Sequence, residues 1–403
     1  MRNLIFLLVF IFGCEEITYT EQSITTGDSP SFSVTDFGAT GDGTTDDSKA
    51  FQDAVNAAIA VGGGELIIPH PDKYYNITTT INIAPAEGKQ CFINIMGYGI
   101  PKGQIHYTGA GNKSVFKIIG LKSSIITGVK VWVVPGISGV VVWDIDTTPE
   151  SPSTSLVTFK QCNSLLGNGV NNVGWRLGHK SGGGADISNY QWENCAAYGN
   201  QDEGTVVSGQ IGWLFEGRNT LQNSWFGGFG AYLDRIYSNL SQQGTGATYQ
   251  NGNGSVFFYG VGGSHNNVDF EIAAEQVYHI TGGRFEVGKK FLLVPEGVED
   301  PSITVTGVIV DGYSPADGNI IHMGRSGTLM LEGCIMSGEE DFAKMITLGG
   351  ERSKGRLFVR GGSYASPKPF YKIVKGTWQI NIQSVGKLNG PYATEYFDNE
   401  PPT

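Results

Sequence analysis

Residues Val34 to Tyr75 read VTDFGATGDGTTDDSKAFQDAVNAAIAVGGGELIIPHPDKYY, and two periodicities meet inside them. Phe51, Ala54, Val55, Ala58 and Ile59 recur at i, i+3, i+4, i+7 and i+8, which gives a helix one apolar face. Thr45, Asp46 and Asp47 stand just ahead of it as N-cap and first-turn residues, where their oxygens satisfy unpaired N–H groups and favour the helix dipole. Gly62, Gly63 and Gly64 end the helix, and Glu65-Leu66-Ile67-Ile68-Pro69 follows as a short apolar strand stopped by proline. A single amphipathic helix at the head of a strand-rich chain reads as a cap, because a stack of strands exposes a raw apolar end.

Asp36-Phe37-Gly38-Ala39, Gly41-Asp42-Gly43, Thr45-Asp46-Asp47, Ala50, Pro69 with Tyr74, and Gly97 with Gly99 resemble the N-terminal motif of the pectate lyase superfamily, in its rhamnogalacturonase and epimerase-like branch. Where that motif has a Pro-x-Gly-x-Tyr turn, this chain has Pro69-His70-Pro71-Asp72-Lys73-Tyr74, so the turn differs. The resemblance implies a right-handed parallel β-helix that acts on or binds polysaccharide. Asp42, Asp46 and Asp47 have the chemistry of metal ligands, but turn and cap duty accounts for them without an ion.

The chain has 403 residues, 59 of them glycine, and only 16% are charged, which suits a large all-β core with many turns. A net charge of −11 without any Lys/Arg run argues against a nucleic-acid partner. The same acidity means that a polyanion such as polygalacturonate would need a local basic patch or a bridging cation. Residues 1–14, MRNLIFLLVFIFGC, read as a secretory signal whose Ile11-Phe12-Gly13-Cys14 end resembles a lipobox, with Cys14 as the lipidation site. Residues 15–33 read as a polar tether, 34–390 as the β-helix and 391–403 as a tail. The expected location is the cell surface or outside the cell, with membrane contact only through that anchor. The five cysteines lack metal-site spacing, and stacked Cys162 and Cys195 are placed so that a disulfide is open to them.

One pattern recurs downstream: alternating apolar residues, a turn residue, then another short strand. Turn positions 128, 161, 194, 282, 307, 333, 361 and 384 are spaced by 33, 33, 88, 25, 26, 28 and 23 residues, and the long gap is three coils of about 29. This predicts an all-β solenoid of about ten coils, in which Cys162, Cys195 and Cys334, each one past a turn, face inward. It also stacks Trp143, Trp175 and Trp213 on the core side of successive coils.

The opposite face of those strands then carries Asp144 and Arg176 in one row and Asp146 and Glu216 in the next. We take Asp144, Asp146, Arg176, Glu216 and Asp234 as candidate catalytic residues. Lys180, Arg218, Trp225 and Tyr232 are the substrate-binding candidates. Paired carboxylates suit glycosidic hydrolysis, and a base beside a guanidinium suits uronate elimination. Against this stands a row of ladder charges that merely pair with one another. A second acidic group comprises Asp269, Glu271, Glu275 and Glu286. The Asn-x-Asp, Asp-Asp and Gly-His-Gly set of polygalacturonases is missing, and no calcium-binding aspartate cluster stands out; no metal site is assigned, though Ca²⁺ remains open if the chemistry is a lyase's. The leading expectation is a polysaccharide lyase or glycoside hydrolase. The alternatives are a trimeric phage tail-spike-like depolymerase or receptor binder, as against a monomeric enzyme, and a non-catalytic glycan-binding scaffold.

Overall fold

The computed structural model describes residues 29–86, 88–98, 104–147, 154–178, 187–216, 222–239, 255–274, 276–296, 301–315, 318–324, 326–338, 344–349, 354–365 and 370–386. Short strands pair in parallel into three sheets of 14, 12 and 11 strands, each strand bonding to its counterpart one coil away. The chain visits the first, second and third sheet in turn and then repeats: a parallel β-helix.

In the first sheet one inward row runs Ile126, Phe159, Trp192, Trp225, Phe258, Ile280, Val305, Leu331, Val359 and Ile382 in register. Two residues after each, the chain turns into the second sheet at a left-handed residue. Every predicted turn position has positive φ, from 51° at Asn194 to 69° at Gly128. Gly227 and Gly260, with φ of 68° and 65°, supply the corners hidden inside the long gap. Glycine reaches this conformation freely, whereas Gln161, Asn194 and Ser384 hold it at a cost of about 1–2 kcal/mol each. Cys162, Cys195 and Cys334, directly after their corners, are buried free thiols, so no Cys162–Cys195 bridge is formed.

Trp143, Trp175 and Trp213 are register partners in the third sheet and are buried. Trp175 and Trp213 stack with centroids 4.9 Å apart, and Phe116 lies 4.6 Å from Trp143. Such ring contacts contribute about 0.5–1.5 kcal/mol beyond the area they bury.

The helix, α1, spans Ser48–Ala60 and buries Phe51, Ala54, Val55 and Ala58, with Ile59 packed against the core edge. Phe51 meets Tyr75 edge-on at 5.2 Å, which seats the cap on the first coil. The leading acids divide their work differently from the simple cap reading. Asp46 accepts the Ser48 N–H at 3.0 Å at the helix start, while Asp47 turns back to accept from Thr40 N, Gly41 N and Asn76 N. Asp42 accepts from the backbone N–H groups and hydroxyls of Thr44 and Thr45, which hold its carboxyl well below the usual range. Turn and tie duty therefore occupies all three.

Two boundaries differ from expectation. Ser31–Ser33, placed in the polar tether, is a strand paired with Glu65–Ile67. Gly63 and Gly64 belong to the strand Gly63–Ile68 rather than to the helix end, and a Cβ on Gly64 would come within 2.4 Å of the Pro30 carbonyl oxygen. The signal, Cys14, most of the tether and the tail lie outside the described residues. Among the described residues no helix is long and apolar enough to cross a membrane.

Candidate functional site

The third sheet brings the predicted charges together. Asp144 and Arg176 are register partners, continued by Leu214, Ser238 and Glu271 on the next three coils. Asp144 is only 4% exposed and receives the Ser114 hydroxyl at 2.6 Å as well as two hydrogen bonds from Arg176. Burial opposes the charge on Arg176, but the hydrogen bonds and charge of Asp144, with Glu216 and Asp146 behind it, raise its pKa further. The guanidinium is thus permanently cationic and fixed in direction.

A second knot lies three coils on. Arg235 donates to buried Glu271 at 2.8 Å and also pairs with Asp234; Ser238 donates to the same Glu271 oxygen. Asp234 additionally accepts the Gly209 N–H at 2.9 Å and the Asn267 amide at 2.8 Å. With its oxygens so occupied, Asp234 ties the bend between the second and third sheets and is poorly placed to move a proton. Of the second acidic group, Asp269 lies in the core, Glu271 is in this knot, Glu286 pairs with Arg284 on the second sheet, and Glu275 lies outside the described residues.

Asp146 and Glu216 are different. Both are half-buried at the strand ends beyond Arg176. Asp146 accepts the N–H of its neighbour Thr147 at 2.8 Å, and among the described residues Glu216 makes no side-chain hydrogen bond or ion pair. Two carboxylates with unspent acceptor capacity therefore flank a fixed cation, an arrangement able to move a proton beside a bound anionic group.

The aromatic candidates part company. Trp225 is 1% exposed and sandwiched between Trp192 and Phe258, each at 4.4 Å, so it fills the core and presents no face to a sugar. Tyr232 is half-buried at a corner with φ 56° and stacks on His265 at 4.8 Å. Lys180 and Arg218 lie outside the described residues. Among the described residues no group of three or more His, Cys, Asp or Glu is arranged to hold a metal ion.

Sequence reasoning missed a strip on the outer face of the first sheet. Phe226 stacks on Tyr259 at 5.4 Å, and Phe257 stacks on His279 at 5.0 Å, with Phe226 and Tyr259 42% and 38% exposed. The signal was available: each exposed ring directly follows an inward one in the ladder, as Phe226 follows Trp225 and Tyr259 follows Phe258.

Residues 31–118 match the family described as rhamnogalacturonase A/epimerase, pectate lyase-like. Mannuronan C5-epimerase AlgE2 of Azotobacter vinelandii is 33% identical over 99 residues, which is 24% of this chain but 9% of that protein. Among solved structures, the A-module of mannuronan C-5 epimerase AlgE6 from Azotobacter vinelandii is 14% identical, covering 89% of this chain and 100% of its own, with a TM-score of 0.45. A mutant tailspike protein of E. coli bacteriophage HK620, in complex with a pentasaccharide, is 12% identical, covering 88% and 65%, with a TM-score of 0.46. The chain is a parallel β-helix protein whose N-terminal coils are similar in sequence to the rhamnogalacturonase A/epimerase, pectate lyase-like family.

Proposed function

We propose that this protein acts on polysaccharide at the outer face of the third sheet, with Asp146 and Glu216 as proton-transferring groups and Arg176 as anchor for an anionic sugar substituent. The observation that carries the reading is the contrast on that face. Asp144, Asp234 and Glu271 are consumed by hydrogen bonds, while Asp146 and Glu216, among the described residues, keep capacity beside a cation whose geometry Asp144 fixes. The family matched over the N-terminal coils, and a curated relative named for epimerising mannuronan, support a carbohydrate substrate. Neutralising a uronate carboxylate with Arg176 would acidify the adjacent C–H for a carboxylate base, and protonating a glycosidic oxygen would use the same pair for cleavage.

The decisive experiment incubates the full chain with acidic and neutral polysaccharides, with and without Ca²⁺. Product analysis then reads reducing ends, unsaturated ends and changed sugar configuration. Any of these, lost in Asp146→Asn or Glu216→Gln, supports the proposal; none across the panel sinks it. We further propose that residues 1–14 direct export and that Cys14 is acylated. Palmitate labelling that survives Cys14→Ser would refute the anchor.

A further inference from the structure

Charge is strongly segregated along this chain. Between Glu351 and Glu395 there is no acidic residue and there are eight Lys or Arg, in a protein whose net charge is −11. The last described coils, Lys354–Arg360 and Thr377–Gln383 in the first sheet, fall within that span.

An open groove of about 690 Å³ lies across these coils, lined by Ser302, Thr328, Lys354, Arg356, Thr377 and Gln379 among others, with no carboxylate among the described residues of its wall. Ser302, Thr328, Arg356 and Gln379 are register partners on four successive rungs, so their side chains line up along the helix axis. Four rungs span roughly 14 Å. Lys354 and Arg356 are exposed, and among the described residues neither forms an ion pair. Cations elsewhere on the surface do pair: Lys160 with Glu193, and Arg284 with Glu286 and Asp311.

We propose that this groove is a binding site for an acidic polysaccharide, separate from the third-sheet site and not catalytic. The occupant follows from the lining. Two exposed cations without an ion-pair partner among the described residues attract carboxylate or sulfate groups, while the row of hydroxyls and an amide at rung spacing offers hydrogen bonds to successive sugar rings. Duplex nucleic acid, with one charge per roughly 1.7 Å, would project far beyond this short basic stretch into the field of an acidic protein. A membrane surface would call for large apolar side chains between the cations, and none lines the groove among the described residues. The site sits on a different sheet from Asp146, and eight register steps separate Thr127, on the coil of Asp146, from Arg360; that is roughly 38 Å along the axis. Binding here does not depend on the proposed chemistry there.

Calorimetry at low salt with polygalacturonate, alginate and chondroitin sulfate tests the site, with dextran as the neutral control. Duplex DNA and phosphatidylglycerol vesicles serve as the competing anions. We expect at least one acidic polysaccharide to bind and dextran not to. Affinity should fall as NaCl rises, and K354E/R356E should bind at least tenfold more weakly while keeping the wild-type circular dichroism. Arg356→Lys should retain most of the binding, and the K354E/R356E reversal should weaken binding by the same factor when made in D146N/E216Q, which separates this site from the proposed active site. Binding unchanged by the charge reversal, no binding to any acidic polysaccharide, equal binding of dextran, or tighter binding of DNA or vesicles would each overturn the proposal.

Discussion

Arg176 grips Asp144 through two parallel hydrogen bonds, Nε to Oδ1 at 2.9 Å and Nη2 to Oδ2 at 2.8 Å, across one rung of the third sheet. The pair is the scaffold of the candidate site, and its removal should register first as instability. Asp144→Ala leaves a largely buried guanidinium without its counter-charge and should cost about 3–5 kcal/mol, read as a lower urea midpoint at unchanged slope. A loss below about 1 kcal/mol would show that the pair is an ordinary surface contact.

Glu216→Gln should separate function from folding. Among the described residues Glu216 makes no side-chain hydrogen bond or ion pair and meets Arg176 through its charge alone, so the denaturation midpoint should stay within about 0.5 kcal/mol of wild type. Turnover on the identified polysaccharide should drop by about 10²–10⁴-fold if the carboxylate moves a proton. Full activity in this variant would remove Glu216 from the mechanism.

Asp269 gives the protein a specific pH dependence. It is fully buried, with Tyr313 and Asn266 donating to it, and burial pushes its pKa up to about 7 despite those bonds. Because the folded pKa exceeds the unfolded value, the folded state holds this proton more tightly. Its contribution is therefore most favourable below about pH 4, shrinks as pH rises, and is fully lost above about pH 7. The span is of the order of 4 kcal/mol at most. Asp269→Asn should flatten this component, so the stability difference between wild type and variant should change between pH 4 and 7 and level off above.

The corners make a prediction of opposite sign. Val287 is a β-branched, half-exposed residue held at φ 54°, a conformation that suits glycine. Val287→Gly should stabilise the protein by about 1 kcal/mol in thermal or urea unfolding. Gly128→Ala should destabilise it, since its Cβ would fall 2.2 Å from the Gly97 carbonyl oxygen.

The corners at Gln161 and Asn194 were legible because the inward Phe159 and Trp192 stand between polar neighbours, Thr158 and Lys160 in one case and Gln191 and Glu193 in the other. Those at Gly227 and Gly260 were not, because Trp225-Phe226 and Phe258-Tyr259 put aromatics on both faces and erase the alternation. The same ambiguity made Trp225 look available to a ligand. Rows of charge on the third sheet were readable from register alone, as Asp144 opposite Arg176 shows. Which carboxylates are spent was not, since that depends on how far side chains reach across a rung. The basic groove escaped notice for a related reason: Ser302, Thr328, Arg356 and Gln379 are neighbours only once four coils are stacked.

Connections from the third sheet back to the first range from Ile119–Lys122 to Ser238–Ser255, yet from Gly128 to Ser384 the corner that follows lands in the same place. Segment length on that side is thus decoupled from the ladder. Such an architecture can acquire or shed whole excursions beside a binding face without renegotiating its interior, so ligand preference can drift while the frame stays put.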